Sequence, residues 1–191
     1  MNIVGKHIIL RAIEREDLTA LHQWGNDPEI QSAMGIIHFP SSREFHNQWF
    51  EKNQSDENNH RWIIQSNSGK ALGLSSIINI DWRNRRGWFG IMIGNKKYQD
   101  YFFGADAIFT TMKYAFEELN FERLDGGIIE YNKKSLKLFC SKILGWEIEG
   151  RRKNYFYHKG SFWHQDLIGI TKEKYKEVKK TQKKIFKIDK K

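Results

Sequence analysis

The sequence predicts a single α+β (α/β) domain with a central mixed, mostly antiparallel sheet of about seven strands, flanked by about four helices. Short apolar runs of strand length alternate along the chain with longer segments whose apolar residues recur at helical spacing. The 191 residues show no internal repeat, low-complexity linker or second domain boundary, and 39% of them are hydrophobic. A chain of this length and apolar content is expected to form one compact domain with a tail.

The first half of the chain opens with a strand and a helix, and continues with a second helix and a hairpin. Asp27-Pro28 is expected to break the helical pattern after the first helix. Ser41 and Glu44 have the spacing of a capping box at the start of the second helix. The expected elements are a strand at 7–13, a helix at 14–25, a helix from 41 to about 54, and strands at 61–65 and 71–80 that are joined at 67–69.

The second half of the chain alternates strands with helices and closes with another hairpin. Lys159-Gly160 is the expected turn of that hairpin, because glycine accepts the backbone conformation that a tight turn needs. The expected elements are a strand at 87–94, a helix that ends near 119, a strand at 123–129, a helix from 133 to about 143, and strands at 147–157 and 161–170.

The stretch from Gly87 to Leu119 organises the rest of the chain. An apolar run bounded by Gly87 and Gly94 predicts a strand, a short polar turn follows, and an apolar-periodic segment through Leu119 predicts a helix. This order places free backbone N–H groups and the positive end of a helix dipole beside a strand edge, which is how proteins hold a pyrophosphate. An ordinary strand-to-helix connection has the same pattern, so the residues alone leave both interpretations open.

Two sets of motifs resemble a known family. Gln99 and Gly104 occupy the first and last places of the pattern Gln/Arg-x-x-Gly-x-Gly/Ala, with Phe102 at its middle glycine. Downstream, Asn132-Lys-Lys-Ser135 and Leu144-Gly145-Trp146 precede the closing hairpin. In order and spacing, these motifs resemble the GNAT N-acetyltransferase superfamily, in particular the branch of the ribosomal-protein N-terminal acetyltransferases and spermidine acetyltransferase. The resemblance covers roughly residues 3 to 170.

The resemblance implies a GNAT-like domain over residues 1–170 that uses acetyl-CoA as its co-substrate and needs no metal. It implies that the central strand pairs with the pantetheine arm, that the loop and first helical turn face the pyrophosphate, and that Asn132 hydrogen-bonds the pantetheine. Asn132 is also a good N-cap for the helix that follows, and one residue can serve both purposes. The implied acetyl-CoA-binding residues are Ile91, Met92, Ile93, Gln99, Asp100, Tyr101, Phe102, Phe103, Gly104, Ala105 and Asn132.

The groups that would move protons depart from the family pattern. In the family a tyrosine hydroxyl commonly protonates the leaving thiolate, but Phe139 stands at the matching place, so Cys140 and Ser141 become the candidate catalytic donors. A glutamate on the central strand often acts as the general base in the family, and here Trp88 stands at that position. The remaining candidate bases are His38, His60, His158, His164, Asp81 and Asp166, with deprotonation through an ordered water as the alternative.

The acceptor amine would lie, by the same resemblance, between the first two helices and the last hairpin. Few acidic residues occur in these segments, so a polycation such as spermidine is disfavoured. A small amine of the amino-sugar type, or a protein N-terminus, fits better. The aromatic side chains that are candidates for lining this pocket, or for packing in the core, are Trp24, Phe39, Phe45, Trp49, Tyr155 and Trp163.

The implied function is an acetyl-CoA-dependent N-acetyltransferase that moves an acetyl group to a primary amine by direct attack in a ternary complex. Two other interpretations stay open from the residues. Phe102, Trp88 and Phe139 together invite a GNAT-fold protein that has lost catalysis and binds a ligand or partner. The lysine-rich C-terminus would suit a nucleic-acid-associated module, although the charge elsewhere makes nucleic acid an unfavoured partner.

The formal net charge of +9 is concentrated in the C-terminal tail. Residues 171–191 hold ten lysines against three acidic residues, so the tail carries +7 and the preceding domain only +2. A solvated helix and a frayed end both fit such a tail. On either interpretation, a chain that ends at Lys172 is expected to fold and to keep its activity.

The composition also bounds the compartment and the partners. Cys140 is the single cysteine, which excludes an internal disulfide and does not by itself make a metal site. No apolar run of about 18 residues predicts a membrane span, and the first residues lack the apolar core of a signal peptide. We therefore expect a cytoplasmic monomer or homodimer that binds acetyl-CoA and an amine, with no membrane partner.

Overall fold

The computed structural model describes residues 1–35, 39–99 and 101–188, and the side chains of all of these except Tyr101 and residues 182–188. Within this part of the chain there are eight strands and six α-helices. Their bounds are β1 Ile3–Val4, β2 Ile8–Arg11, α1 Leu18–Gly25, α2 Pro28–Met34, α3 Arg43–Gln54, β3 His60–Ser66, β4 Ala71–Asp81, β5 Arg86–Ile93, α4 Tyr101–Lys113, β6 Arg123–Ile129, α5 Lys133–Phe139, β7 Glu147–His158, β8 Ser161–Thr171 and α6 Lys172–Ile188.

All eight strands form one sheet in the order β1-β2-β3-β4-β5-β6-β8-β7. Every neighbouring pair is antiparallel except β5 and β6, which are parallel. The predicted fold class, a mixed and mostly antiparallel sheet with helices against it, is confirmed. The described chain has one strand more than expected, the short β1, and two further helices, α2 and α6.

The helix α2 begins at Pro28, where the sequence predicts only a break in the helical pattern. Asp27 caps it: its Oδ1 accepts hydrogen bonds from the N–H groups of Glu29 at 2.9 Å and Ile30 at 3.2 Å. Pro28 follows as the first helical residue, where proline loses no hydrogen bond because that N–H would have no helical partner. Asp27-Pro28 therefore ends one helical pattern and also starts the next. Gly35 closes α2 with a φ of +65°, a conformation that favours glycine.

Two other helix ends differ from the expectation by local capping. The N-cap of α3 is Ser42 rather than Ser41, and its hydroxyl accepts a hydrogen bond from Phe45 N–H at 3.0 Å. The helix α5 ends at Phe139 instead of reaching residue 143. The chain then turns so that Gly145 N–H donates to the Ser141 carbonyl at 2.7 Å. This turn leads the chain into the Leu-Gly-Trp motif.

The main hydrophobic core lies between the sheet and the helices α4, α5 and α6. Phe89 of β5 contacts the ring of Phe139, with centroids 5.8 Å apart, and the ring of Trp146 at 5.6 Å. Trp146 and Phe139 also pack edge to face at 5.2 Å. A second cluster, on the opposite face of the sheet, packs α1, α2 and α3. Both faces of β5 are therefore covered, which fixes this strand in the middle of the molecule.

The first turns of α6 pack into the main core. Tyr175 and Val178 are almost fully buried, at 2% and 4% exposure. The Tyr175 ring stacks on Phe116 with centroids 5.0 Å apart, and its hydroxyl donates to Glu117. Val178 lies over Gly145, where an added Cβ would come within 2.4 Å of it. A domain boundary near residue 170 stays a prediction, but the start of the tail shares the core.

None of the helices in the described part of the chain combines the length and apolarity needed to cross a membrane.

Candidate active site

A cleft opens in the sheet because β5 and β6 part soon after they meet. Their parallel pairing covers only Arg86–Trp88 and Arg123–Asp125. Each strand keeps its other neighbour, since β5 continues to pair with β4 and β6 with β8. The edge of β5 that faces β6 therefore has no strand partner from Phe89 to Ile93 within the described residues. The resulting cleft has a volume of about 760 Å³.

The free edge of β5 suits an extended ligand that carries amides. Backbone N–H and C=O groups at an open strand edge can pair with such a ligand as a further strand would. The predicted residues Ile91, Met92 and Ile93 all line the cleft along this edge. The pantetheine arm of acetyl-CoA has two amides in an extended chain, so its chemistry fits the groups present here.

The N-terminus of α4 lies at one end of the cleft, where Gln99 and Gly104 line it. Gln99 Nε2 donates to the carbonyl of Ile93 at 2.8 Å, which ties the loop to the end of β5. The dipole of this 13-residue helix places a partial positive charge at its N-terminus, which favours a phosphate. Binding of a pyrophosphate by this loop stays a prediction. Asp100 lies outside the described residues, and the side chain of Tyr101 is not described.

Phe102, which replaces the middle glycine of the motif, lies away from the cleft. Its ring contacts the His7 ring at 4.3 Å between centroids and the Phe103 ring at 5.5 Å. Phe103 in turn contacts Tyr98 at 5.3 Å, and neither Phe103 nor Ala105 lines the cleft with its side chain. These residues can serve a phosphate only through backbone N–H groups, which is the role that the resemblance implies.

Lysine side chains at this end differ in their availability. Lys96 forms ion pairs with Asp27 at 2.9 Å and Glu29 at 2.6 Å, so its charge is already compensated. Lys134, in the first turn of α5, lines the cleft and donates to the Gln99 carbonyl. Lys134 therefore places a cation at this end of the cleft, although it was not among the predicted binding residues. Its position two residues after Asn132 in a matching motif was the available signal.

Asn132 holds two helices together at the cleft. Its Oδ1 accepts from Ser135 N–H at 3.1 Å, which caps α5, and its Nδ2 donates to the Ala33 carbonyl of α2 at 2.9 Å. The side chain also lines the cleft. The capping role is therefore present in the structure, while the bond to pantetheine stays a prediction.

The candidate proton donors follow α5. Phe139 lines the cleft, whereas Cys140 and Ser141 are not among its lining residues. Partial burial, and then the charges of Asp166 and Glu147, raise the pKa of the Cys140 thiol, so that it stays protonated near neutral pH. A donor must be protonated, but it must also reach the sulfur. The assignment of Cys140 or Ser141 as the acid stays a prediction.

The candidate bases lie outside the cleft lining wherever the structure describes them. His164 Nδ1 accepts from Asn154 N–H at 3.0 Å, and His158 Nε2 lies 3.1 Å from the Ser32 hydroxyl. His60 stacks on Trp62, Asp81 bonds to the Asn84 amide, and Asp166 is paired with Arg151. His38 is outside the described residues. Among the described side chains, Glu29 is the one carboxylate that lines the cleft.

The opposite end of the cleft is built by Trp88 of β5 and by the β7–β8 hairpin. Gln165 and Trp88 lie over Gly127 of β6, where an added Cβ would approach their side chains to 2.5 Å and 3.0 Å. Arg152 Nη1 donates to Gln165 Oε1 at 3.2 Å, and its guanidinium lies 5.1 Å from the centre of the Tyr155 ring. All four of these side chains line the cleft, although Arg152 and Gln165 were not among the predicted site residues.

Of the aromatic residues predicted for the acceptor pocket, Tyr155 lines the cleft. Trp24 is buried against Gly94, where a Cβ would fall within 2.1 Å of its ring. Trp49 packs beneath the Arg61 guanidinium at 5.8 Å, while Phe39 and Phe45 are exposed. Trp163 donates its indole N–H to the His158 carbonyl at 3.2 Å. Three of the six rings, those of Trp24, Trp49 and Trp163, therefore have structural contacts outside the cleft lining.

The residues in the described ranges contain no group of three or more His, Cys, Asp or Glu side chains arranged to hold a metal ion.

Comparisons with known proteins agree with this geometry. A family model described as an acetyltransferase (GNAT) domain matches residues 7–141. The chain is 26% identical over 172 residues to an uncharacterized SPbeta prophage-derived N-acetyltransferase, YokL, of Bacillus subtilis, covering 90% of this chain and 93% of that protein. It is also 26% identical over 172 residues to spermidine N(1)-acetyltransferase of Escherichia coli, covering 90% of each chain.

Solved structures show the same fold. The crystal structure of spermidine N-acetyltransferase from Vibrio cholerae, in complex with CoA and spermine, superposes with a TM-score of 0.82. The two sequences are 24% identical, and the match covers 90% of this chain and 99% of that one. The split sheet, the helix N-terminus at the cleft and the matched family model agree: the chain belongs to the GNAT acetyltransferase family and is an N-acetyltransferase with acetyl-CoA as its co-substrate.

Proposed function

We propose that this chain acetylates a primary amine, of a small molecule of the amino-sugar type or of a protein N-terminus, by direct attack of the amine on acetyl-CoA. The continuity of the cleft is the observation that carries this proposal. It runs from the N-terminus of α4, along the free edge of β5, to Arg152 and Gln165. Both reactants would thus share one space, and no covalent acetyl-enzyme step is needed.

The transfer forms a bond from the amine nitrogen to the acetyl carbon and breaks the bond from that carbon to sulfur. The amine loses a proton and the leaving thiolate gains one. Positioning supplies most of what this reaction requires, because aligned reactants react far faster than free ones. A thiol with a pKa near 8.5 also leaves fairly well without assistance.

Removal of the amine proton is assigned to ordered water. Glu29 lines the cleft but forms an ion pair with Lys96, with 2.6 Å between their charged atoms. The histidines that the structure describes contact backbone groups, hydroxyls or rings outside the cleft lining. Water in a cleft of this volume can relay a proton to solvent.

We expect Phe139→Tyr to raise turnover by a few-fold. The ring lines the cleft at the position where relatives place a tyrosine, so a hydroxyl there could protonate the leaving thiolate. The gain is limited because the ring is buried between Phe89 and Trp146, and an unpartnered buried hydroxyl costs about 1 to 3 kcal/mol. Steady-state rates of thiol release, with thermal unfolding of both proteins, measure the two effects.

Alanine variants of Cys140 and Ser141 complete this test. A side chain that protonates the thiolate should lower turnover by about tenfold or more when it is removed. If both alanine variants keep full turnover and Phe139→Tyr gains none, no side chain at the end of α5 is the acid. Solvent would then be the donor.

The choice of acceptor separates two substrate classes. Relatives named spermidine N(1)-acetyltransferase support a polyamine. In the described residues, however, the one carboxylate that lines the cleft, Glu29, is already paired with Lys96, whereas Arg61 and Arg152 line the cleft without an ion pair. This balance disfavours a polycation, because like charges at such distances repel.

We expect thiol release from acetyl-CoA to depend on an added amine, and amino-sugars or peptides to exceed spermidine in kcat/KM. Free-thiol detection over a panel of amines at saturating acetyl-CoA measures this directly. Mass spectrometry of the product confirms transfer to nitrogen and excludes simple hydrolysis. A higher kcat/KM for spermidine than for every other amine would reject the acceptor class, and no amine-dependent release at all would reject the transferase proposal.

A further inference from the structure

The arginines of this chain fall into two groups. Six of the ten have a carboxylate oxygen within 3.6 Å, and the other four form no ion pair among the described residues. Two of those four, Arg43 and Arg83, do not line the cleft, whereas Arg61 and Arg152 do. Side-chain amides accept from these two instead, Asn53 from Arg61 and Gln165 from Arg152. An amide oxygen satisfies a donor but leaves the charge uncompensated. The six paired arginines are Arg11, Arg15, Arg85, Arg86, Arg123 and Arg151.

The contrast is sharpest between two adjacent residues. Arg151 forms ion pairs with two carboxylates, those of Asp166 at 2.7 Å and Glu130 at 3.6 Å. Successive residues of a strand point to opposite faces of the sheet, so Arg152 projects to the other side. There it meets Gln165 and the Tyr155 ring. The fold thus compensates one arginine on the outer strand and leaves its neighbour available at the cleft.

Arg152 also fixes the orientation of Gln165. A guanidinium can only donate, so the atom of Gln165 at 3.2 Å from Arg152 must be the carbonyl oxygen. The amide nitrogen then lies over Gly127 beside Trp88, in the space that an added Cβ at Gly127 would occupy. Two sets of N–H donors, from Arg152 and from Gln165, therefore meet at one end of the cleft with no carboxylate between them.

Arg61 is a second cation that lines the cleft without an ion pair among the described residues. Its Nη1 donates to Asn53 at 2.7 Å, and its guanidinium lies over the Trp49 ring. Burial lowers the pKa of this guanidinium more than the charge of Asp56 raises it. A half-buried cation without a carboxylate partner is stabilised when a ligand brings a negative charge.

We propose that the acceptor amine carries an anionic group, a carboxylate or a phosphate, and that Arg152 and Gln165 bind this group. The inference rests on the proposed function and names the substrate class of its acceptor site. Guanidinium and amide N–H groups are the donors that bind carboxylates and phosphates most strongly, and arginine binds both in a fork geometry. The Tyr155 ring behind the guanidinium holds it in place for that contact.

Matched pairs of amines test the substrate class. Glucosamine 6-phosphate against glucosamine, and an amino acid against its carboxamide, differ only in the anionic group, and spermidine supplies the polycation. We expect kcat/KM to be at least tenfold higher for the anionic member of one pair, and that pair identifies a phosphate or a carboxylate. Equal or higher kcat/KM for both neutral members, or for spermidine, would overturn the inference.

Variants of Arg152 test the binding residue. Arg152→Gln should raise KM for the anionic amine by about tenfold to a hundredfold, with KM for acetyl-CoA unchanged. Lys153→Gln is the matched control, because it removes the same charge one residue away at a side chain that does not line the cleft. Arg152→Glu should shift the preference toward spermidine. The assignment would be contradicted if Arg152→Gln changed KM equally for both members of a pair, or if it raised KM for the anionic amine no more than Lys153→Gln does.

Calorimetric titration separates this inference from the transferase proposal. With CoA bound, so that the phosphate end of the cleft is filled, the chain should bind glucosamine 6-phosphate or the amino acid more tightly than its neutral partner. Such binding without any amine-dependent thiol release would reject the proposed function and keep the inference. Equal binding of the charged and neutral members of both pairs would reject the inference even if the chain is an active transferase.

Discussion

Replacing Gly104 by glutamate is expected to weaken acetyl-CoA binding by about a hundredfold while the fold stays intact. Gly104 lies in the first turn of α4 and lines the cleft, and a Cβ there would be 3.3 Å from Leu138 Cδ2 of α5. A carboxylate about 5 Å from a phosphate repels it by about 3 kcal/mol at an effective dielectric constant of about 20. The same carboxylate would also occupy the space in front of the helix N-terminus.

Isothermal titration calorimetry with acetyl-CoA measures this loss, and circular dichroism shows whether the variant is folded. Gly104→Gln is the matched control, because it has the size of glutamate without its charge, and Gly104→Ala isolates the effect of a single methyl group. We expect affinity to fall in the order alanine, glutamine, glutamate. If a folded Gly104→Glu protein bound acetyl-CoA with unchanged affinity, the phosphates would not bind at this end of the cleft.

A chain that ends at Lys172 is expected to lose about 5 kcal/mol of stability and about 10 to 20 °C in melting temperature. This reverses the outcome that the composition of the tail suggests. The truncation removes Tyr175 and Val178, which are 2% and 4% exposed, and leaves Phe116 and Gly145 without the residues that cover them. The loss is large against the 5 to 15 kcal/mol that typically stabilises a domain.

A chain that ends at Thr181 is the control for this experiment. It keeps the two buried residues and the contacts of Tyr175 and Lys179 with Glu117, while it discards five of the tail lysines. We expect it to melt close to the full chain and to keep its catalytic constants. Thermal denaturation of the three proteins decides the question, and a stable chain that ends at Lys172 would mean that α6 contributes little to the core.

Many of the strands, helices and turns could be predicted from local sequence patterns. The strand at 123–129 and the hairpin turn at Lys159-Gly160 lie where periodicity and turn residues place them, since both depend on neighbours in the chain. Asp27-Pro28 was harder to interpret, because proline both ends a helix and suits the first position of the next. Only the capping bonds of Asp27 show that a helix begins there.

The residues at the end of α5 show what local sequence patterns do not predict. Cys140 and Ser141 follow Phe139 directly, yet Phe139 alone of the three lines the cleft. The helix ends at Phe139, so the next two residues no longer continue its direction. Consecutive side chains of a helix also point about 100° apart, so Phe139 can face the cleft while its two neighbours do not.

The sequence by itself determined the family and most of the order of the elements, because these follow from periodicity and from motifs within a few residues of each other. The tertiary structure decided which side chains meet at the end of the cleft where we propose that the acceptor binds. There, β3 brings Arg61, β5 brings Trp88 and the β7–β8 hairpin brings Arg152 and Gln165, from segments about 100 residues apart. The register of the β7–β8 pair, rather than sequence spacing, places Asp166 opposite Arg151 and Gln165 opposite Arg152. Arg151 therefore has a carboxylate partner and Arg152 does not.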